Sequence, residues 1–186
     1  SDTYQYNGDG YVLAIRFDGT LWGWGYNANG QLGDNSTSTR TSMVQIGSGY
    51  DWKKVRTGLY YTLALKGDGT LWAWGLNSYG QLGTSNTTTY SSPVQVGGTW
   101  NDIDCGREHS VGIKSDGTLW AWGYNGGYSV GDGTTTNRSS PVQIDSNTTW
   151  KKLACGYGYS FAIRSDGSAY AWGYNANYQC GVNSYS

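Results

Sequence analysis

Short apolar runs recur along the chain in pairs that flank an Asp-Gly dipeptide. In one pair, residues 62–65 and 71–74 lie on either side of Asp68-Gly69. Asp-Gly supplies the positive φ angle that a tight hairpin turn requires. The pattern therefore predicts β-hairpins, and no window shows a helical period long enough to indicate a helix.

The hairpin turns recur at a nearly constant spacing. They lie at 18–19, 68–69, 116–117 and 166–167, and are 50, 48 and 50 residues apart. Each turn is followed by a glycine-bounded loop, which in the first copy spans residues 25–33. A fixed period in this range indicates a repeat architecture.

Each repeat has room for four short strands. Two form the hairpin, a third carries an apolar-Gln-apolar run such as Pro93–Val96, and a fourth runs from Trp100 to Asp104. The segments between them that are rich in Ser, Thr and Asn are interpreted as loops by composition, namely 35–42, 84–92 and 132–140. Four-stranded sheets repeated along a chain and stacked face to face are the blades of a β-propeller.

The tryptophans support stacked sheets. Seven of the ten lie on the second hairpin strands, at Trp22, Trp24, Trp72, Trp74, Trp120, Trp122 and Trp172. Strand side chains alternate, so two Trp that are two residues apart share one face, while small residues such as Gly23 and Ala73 occupy the other. A bulky face can then pack against a flat one. We interpret these tryptophans as structural.

Composition and charge exclude several classes of partner. The 186 residues, 20.2 kDa in mass, are expected to form a single domain over 1–186. Only 13% of the residues are charged and the net charge is -1, which leaves no broad basic surface for nucleic acid or an anionic membrane. No stretch approaches the roughly 18 apolar residues that a membrane-inserted helix needs.

His109 is the only histidine, so any Ser-His-Asp or Cys-His mechanism would have to use it. Tyrosine occupies the aligned position in the other three repeats, at Tyr11, Tyr61 and Tyr159. The exchange of histidine for tyrosine at this position favours a structural role for His109, as a ring that fills space and donates one hydrogen bond within a blade. We expect no catalytic residue, and therefore no enzyme.

The remaining cysteines, aspartates and glycines form no motif for a metal or cofactor. Cys105 and Cys155 share a repeat position in successive blades, and no Cys-x-x-Cys spacing is present. Cys180 aligns with Leu32, Leu82 and Val130, which indicates a buried small apolar side chain. Asp18 and its equivalents precede a hairpin glycine, where turn chemistry alone favours Asp. None of them belongs to a calcium-binding loop, and the glycines form no phosphate-binding loop. We expect neither a metal nor a cofactor.

The repeat resembles a known family. Residues 68–83 read Asp-Gly-Thr-Leu-Trp-Ala-Trp-Gly-x-Asn-x-x-Gly-Gln-Leu-Gly, and Pro-Val-Gln at 93–95 and Cys-Gly-x-x-His-Ser at 105–110 follow. This is similar to the RCC1 (regulator of chromosome condensation) repeat. The resemblance implies an all-β propeller, generally a closed ring of seven blades. It also implies one of three functions: guanine-nucleotide exchange, ultraviolet reception or protein interaction.

The chain departs from a complete ring of that family. It holds about four repeats of roughly 50 residues, incomplete at both ends, with four hairpins and three connecting strand pairs. Open propeller edges expose unpaired backbone groups, which proteins normally cover. Three explanations stay open: a piece of a longer chain, a ring or stack completed by other copies, or a four-bladed closure.

The loops carry the candidate binding residues. Six tyrosines lie in the loops amid Asn and Gly, at Tyr26, Tyr79, Tyr124, Tyr128, Tyr174 and Tyr178. Tyrosine gives rigid contact area at low entropic cost, which suits protein contacts and also sugar stacking. An alternative interpretation is that these rings only cap the blade ends.

We predict a non-enzymatic structural or interaction module that contacts a protein partner or assembles with itself. A glycan-binding propeller is the alternative. A regulator resembling a nucleotide exchange factor is less favoured, because no repeat contains an insertion that could serve as a wedge. Low charge and loops rich in Ser, Thr, Asn and Gly favour an extracellular or virion-surface setting. Four Asn-x-Ser/Thr sequons begin at Asn35, Asn86, Asn137 and Asn147.

Overall fold

The computed structural model describes residues 3–6 and 10–181, which form strands and no helix. The strands are β1 (Thr3–Tyr6), β2 (Tyr11–Ile15), β3 (Leu21–Gly25), β4 (Arg40–Gln45), β5 (Trp52–Thr57), β6 (Tyr61–Lys66), β7 (Thr70–Gly75), β8 (Tyr90–Cys105), β9 (His109–Lys114), β10 (Leu119–Gly123), β11 (Arg138–Asp145), β12 (Trp150–Cys155), β13 (Tyr159–Arg164) and β14 (Ala169–Gly173). Within these ranges, no helix long and apolar enough to cross a membrane is found.

The strands form four blades in chain order, each an antiparallel meander. The first blade is β1-β2-β3-β4, and the second is β5-β6-β7 with the first half of β8. The third blade is the second half of β8 with β9-β10-β11, and the fourth is β12-β13-β14. The predicted all-β, propeller-like class is confirmed. Residues 3–6 form the strand β1, which pairs with β2 and completes a four-stranded first blade. Comparison of the repeats does not predict this strand.

The strand β8 belongs to two blades. Its first half pairs with β7, where Val96 lies opposite Leu71, and its second half pairs with β9, where Ile103 lies opposite Gly112. The two strands predicted at 93–96 and 100–104 are therefore one strand of 16 residues. Three residues separate the Val-Gln run from the next tryptophan here, against five in the other two connections. The shorter connection leaves no room for an irregular segment.

The hydrophobic core lies between successive blades. Leu63 and Leu71 of the second blade share one buried cluster with Ile103 and Trp122 of the third. Equivalent clusters join the first blade to the second and the third to the fourth. Each internal blade therefore turns one face to the blade before it and the other to the blade after it. The antiparallel meander places the glycine-bounded loops of the four blades at one end, opposite the Asp-Gly turns.

The Asp-Gly turns have a self-contained hydrogen-bond network. Asp68 Oδ1 accepts hydrogen bonds from the Thr70 backbone N–H (2.9 Å) and hydroxyl (2.8 Å), and the Thr70 hydroxyl accepts one from Trp72 Nε1 (3.0 Å). The bonds from Thr70 lower the pKa of Asp68. Gly69 has a φ of 83°, as the turn requires. These contacts explain the repeated aspartate without any ligand.

Candidate functional site

Each loop is built around one buried asparagine. Asn77 Oδ1 accepts a hydrogen bond from the Leu82 backbone N–H (3.0 Å), and Asn77 Nδ2 donates to the carbonyl oxygens of Asn86 (3.1 Å) and Thr88 (3.0 Å). Asn27 and Asn125 make the same bonds in their own loops. Sequence reasoning missed these residues, although Asn recurs at the third position of every glycine-bounded loop. The network holds the loop end of the blades in a fixed shape.

The candidate tyrosines lie at this loop end, which we call the loop rim. The Tyr26 ring lies 5.5 Å from that of Tyr60 in the next blade, and the Tyr79 ring lies 5.0 Å from that of Tyr124. Between 37% and 61% of the surface is exposed at Tyr26, Tyr124, Tyr128, Tyr174 and Tyr178, whereas Tyr79 is half-buried. The structure therefore brings only Tyr79 and Tyr124 of the six into contact with each other, across a blade boundary. The six do not form one cluster.

A groove opens in the loop rim between the third and fourth blades. It has a volume of about 390 Å³, and its lining includes Tyr124, Tyr174, Gly126 and Gly127. The two glycines stand where the second loop carries Ser78 and Tyr79. The loss of these side chains leaves space between two exposed rings, which can accept an aromatic side chain or a sugar ring.

His109 is buried, with 1% of its surface exposed, and burial lowers its pKa to about 4. Its Nε2 lies 2.9 Å from Ser160 Oγ in the fourth blade. The aligned Tyr11 hydroxyl likewise donates to the Tyr61 carbonyl oxygen of the next blade (2.7 Å). The prediction of a bond within the blade is therefore wrong. These rings lie on the face that packs against the following blade, so their bonds cross the boundary.

The tryptophans bond in the opposite direction. Trp74 Nε1 donates to the Gln31 carbonyl oxygen of the preceding blade (2.9 Å), and Trp122 Nε1 donates to that of Gln81 (2.9 Å). Trp172 Nε1 reaches the Ser129 carbonyl oxygen in the same way (3.1 Å). The other tryptophan of each pair bonds within its own blade, to the threonine of the hairpin turn. Trp72 Nε1 donates to the Thr70 hydroxyl, and Trp120 Nε1 donates to the Thr118 hydroxyl. In the first blade, Trp22 also bonds to its turn threonine, and both Trp22 and Trp24 are half-buried.

The cysteines are free, and none of the three forms a disulfide. Burial raises the pKa of the Cys105 and Cys155 thiols well above the usual value, which keeps them protonated and poorly nucleophilic. Cys180 is buried, with 8% exposed, at the position that leucine or valine fills in the other repeats. Residues 3–6 and 10–181 contain no group of three or more side chains that could hold a metal ion.

A family model of the regulator of chromosome condensation (RCC1) repeat matches residues 18–65, 68–113 and 116–163. A second model of the same repeat matches residues 52–81, 100–128 and 150–179. No curated protein matches the chain in sequence.

Solved structures share the fold. Human WBSCR16 has a TM-score of 0.84 and 22% identity, over 95% of this chain and 48% of its own. Prp20p from Saccharomyces cerevisiae has a TM-score of 0.80 and 24% identity, over 94% of this chain and 46% of its own. Yeast RCC1 (Prp20) in its complex with Kap60 has a TM-score of 0.79 and 23% identity, over 92% of this chain and 43% of its own. The chain thus spans about half the length of these propellers, and the repeats matched across most of it show that it belongs to the RCC1 repeat family.

Proposed function

We propose that the chain is a non-enzymatic interaction module whose loop rim makes protein–protein contacts within an assembly. The observation that carries this proposal is the set of exposed rings beside the groove, since Tyr124, Tyr128 and Tyr174 are 37–47% exposed. The asparagine networks hold the loops that carry them. Rigid aromatic side chains lose little entropy on binding and are frequent anchors of protein interfaces.

The burial and the shifted pKa values of the histidine and of two cysteines support a function without catalysis. A general base must be accessible and must titrate near the working pH, whereas His109 is buried and has its pKa lowered to about 4. The protonated thiols of Cys105 and Cys155 are equally unsuited to nucleophilic attack.

A protein partner also agrees with the relatives. Prp20p is described as binding Gsp1p and histones, and its complex with Kap60 has been solved. The partner we propose for this chain is a protein of its own assembly, with another copy of the chain as the first to be tested. The low charge supports a setting on a cell or virion surface.

A glycan ligand is the second candidate, and one observation favours it. Tyr124 and Tyr174 line the groove together with Gly126 and Gly127, an arrangement in which an aromatic ring can stack on the apolar face of a sugar.

Site-specific photo-crosslinking tests the proposed surface. Benzoylphenylalanine replaces Tyr174 on the loop rim in one variant and Phe17 in a second. Phe17 is 88% exposed in a hairpin turn at the opposite end of the blades, so it serves as a matched control. Each variant is irradiated with an excess of the untagged chain.

We expect covalent dimers from the Tyr174 position and few or none from the Phe17 position. Equal yields from the two positions would contradict the loop rim as the contact surface. If no dimers form and a glycan array gives binding that Tyr174→Ala abolishes, the glycan function replaces the protein contact.

A further inference from the structure

The groove between the third and fourth blades lies where two aromatic side chains are absent. At the first blade boundary the Tyr60 ring packs against a tyrosine of the preceding blade, and at the second the Tyr79 ring packs against a tyrosine of the following one. At the third boundary, glycine stands at both aligned positions, as Gly158 and Gly127. The structure describes the blades on both sides of this boundary, so the opening results from these two exchanges.

The fold does not require glycine at position 127. Gly127 is not among the residues with a positive φ. A Cβ at this position would lie 3.5 Å from Tyr174 Cβ, which is an ordinary van der Waals distance. Tyr79 occupies the aligned position in the second loop, so a loop of this kind accepts a large side chain there. Neither backbone strain nor a steric clash therefore explains the open space beside Tyr174.

A carboxylate without a partner also lines the groove. Glu108 is the only glutamate of the chain, is half-buried, and lines the groove together with Tyr124, Tyr157 and Tyr174. In the described part of the chain, its carboxylate makes no hydrogen bond and no ion pair. A negative charge and the faces of aromatic rings attract the same class of ligand, which is a cation.

The chain itself shows which cation suits these rings. The Arg107 guanidinium lies 4.5 Å from the centroid of the Tyr157 ring, at the side of the groove. A guanidinium is planar, which matches the place of an absent ring, and it can donate two hydrogen bonds to a carboxylate while it stacks on an aromatic face. An ammonium group is a compact and strongly hydrated charge. A neutral sugar would leave the charge of Glu108 without a counter-charge.

We propose that the groove binds an arginine side chain of the protein partner, with its guanidinium stacked on Tyr174 and hydrogen-bonded to the Glu108 carboxylate. This inference rests on the proposed protein contact at the loop rim and names the side chain that anchors it. The groove volume of about 390 Å³ exceeds that of one arginine side chain. Arginine is among the residues that most often contribute a large share of the binding energy at protein interfaces.

Three peptides that differ in one side chain test the site. They are acetyl-Gly-Ser-Arg-Ser-Gly-amide, the same peptide with lysine, and the same peptide with citrulline, which keeps the shape of arginine without its charge. NMR titration measures their affinities for the full chain and for Glu108→Gln, which removes the charge and keeps the size. Gly127→Tyr places a ring in the groove, as Tyr79 does in the second loop. Asn29→Tyr is its matched control, at the aligned position of the first loop.

We expect the arginine peptide to bind the unchanged chain about tenfold more tightly than the citrulline peptide, with the lysine peptide between them. Glu108→Gln should lower the affinity for the arginine peptide about tenfold and leave that for the citrulline peptide unchanged. Gly127→Tyr should abolish binding of the arginine peptide, and Asn29→Tyr should not change it.

Equal affinities of the arginine and citrulline peptides would overturn the cation site, and equal affinities of the arginine and lysine peptides would overturn the choice of arginine. A loss in Asn29→Tyr as large as that in Gly127→Tyr would overturn the location. A neutral oligosaccharide that binds the groove where no peptide does would assign it to a glycan and overturn the proposal.

The peptides separate this inference from the proposed function on which it rests. Covalent dimers from the Tyr174 position without selective peptide binding would keep the protein contact and overturn the arginine site. Selective binding of the arginine peptide without covalent dimers would support the arginine site and reject a second copy of the chain as the partner.

Discussion

The Tyr61 hydroxyl of the second blade donates a hydrogen bond to the His109 carbonyl oxygen of the third, over 2.5 Å. The Tyr61 ring can lie in this direction because Gly58 has no side chain: a Cβ there would lie 1.9 Å from Tyr61 Cε1. Gly106 and Gly156 leave the same space for His109 and Tyr159. A Cβ on Gly106 would lie 2.0 Å from His109 Cε1, and a Cβ on Gly156 would lie 2.2 Å from Tyr159 Cζ. A glycine three residues before the ring is therefore part of each blade junction.

Gly106→Ala should weaken the junction between the third and fourth blades. The added methyl group would overlap the His109 ring, which is buried and cannot move aside without losing its contact with Ser160. We expect the free energy of unfolding to fall by about 2–3 kcal/mol, as for other overpacked cores. Urea denaturation measures this change.

Gly97→Ala is the matched control for that substitution. A Cβ on Gly97 meets nothing within 4 Å, and Gly97 is not among the residues with positive φ. We expect a change within about 0.5 kcal/mol. Equal losses in the two variants would show that the space beside the His109 ring is not what requires glycine.

The stability of the chain should fall as the pH falls from about 6.5 to about 4. His109 has an ordinary pKa of 6.5 in the unfolded chain, and burial lowers its pKa to about 4 in the folded chain. Within this window the unfolded chain takes up a proton that the folded chain does not, which favours unfolding. The full effect is about 3 kcal/mol, and above pH 6.5 this group contributes no pH dependence. Urea midpoints from pH 7.5 to 4.5 measure it.

His109→Tyr isolates this contribution. Tyrosine is the residue at the aligned positions, and its hydroxyl does not titrate in this range. Burial raises the pKa of Asp104, which acts in the opposite sense in the lower part of the window, but Asp104 is present in both proteins. We expect a flatter stability profile in the variant. Parallel profiles of the two proteins would contradict a neutral, buried His109.

Asn77→Ala should loosen the second loop. The side chain is fully buried, and its loss leaves the Leu82 N–H and the Asn86 and Thr88 carbonyl oxygens without their partner. Unsatisfied buried groups of this kind lead us to expect a loss of about 3 kcal/mol. Hydrogen exchange at the Leu82 amide should speed up with it. Asn101→Ala, at an exposed position of β8, is the control and should change neither quantity. A loop that exchanges as slowly as before would show that Asn77 does not organise it.

The repeat pattern predicted most of the fold, because strand alternation and turn chemistry are local properties. The Asp-Gly hairpins and the stacked tryptophan faces follow from residues such as Gly69 and Trp72 without any knowledge of distant contacts. The fusion of two strands into β8 coincides with the shorter spacing of 48 residues between the second and third turns.

The direction of the blade contacts could not be predicted. Alignment shows that His109 and Tyr61 are equivalent, but it does not show which neighbouring blade each ring faces. That depends on the order and hand of stacking, which are properties of the whole assembly of sheets. Tyr128 stands where the first two repeats carry glycine, an exchange that repeat comparison can find. Its positive φ of 59° is visible only in the structure.

The strand β8 makes the second and third blades one mechanical unit. Its backbone runs without interruption from the ladder with β7 into the ladder with β9, whereas irregular segments, 46–51 and 146–149, connect the other neighbouring blades. A fluctuation that separates the two central blades has to bend or break this continuous strand. Separation at either outer junction needs only a change in an irregular segment. We therefore expect a terminal blade to detach more readily than the two central blades separate from each other.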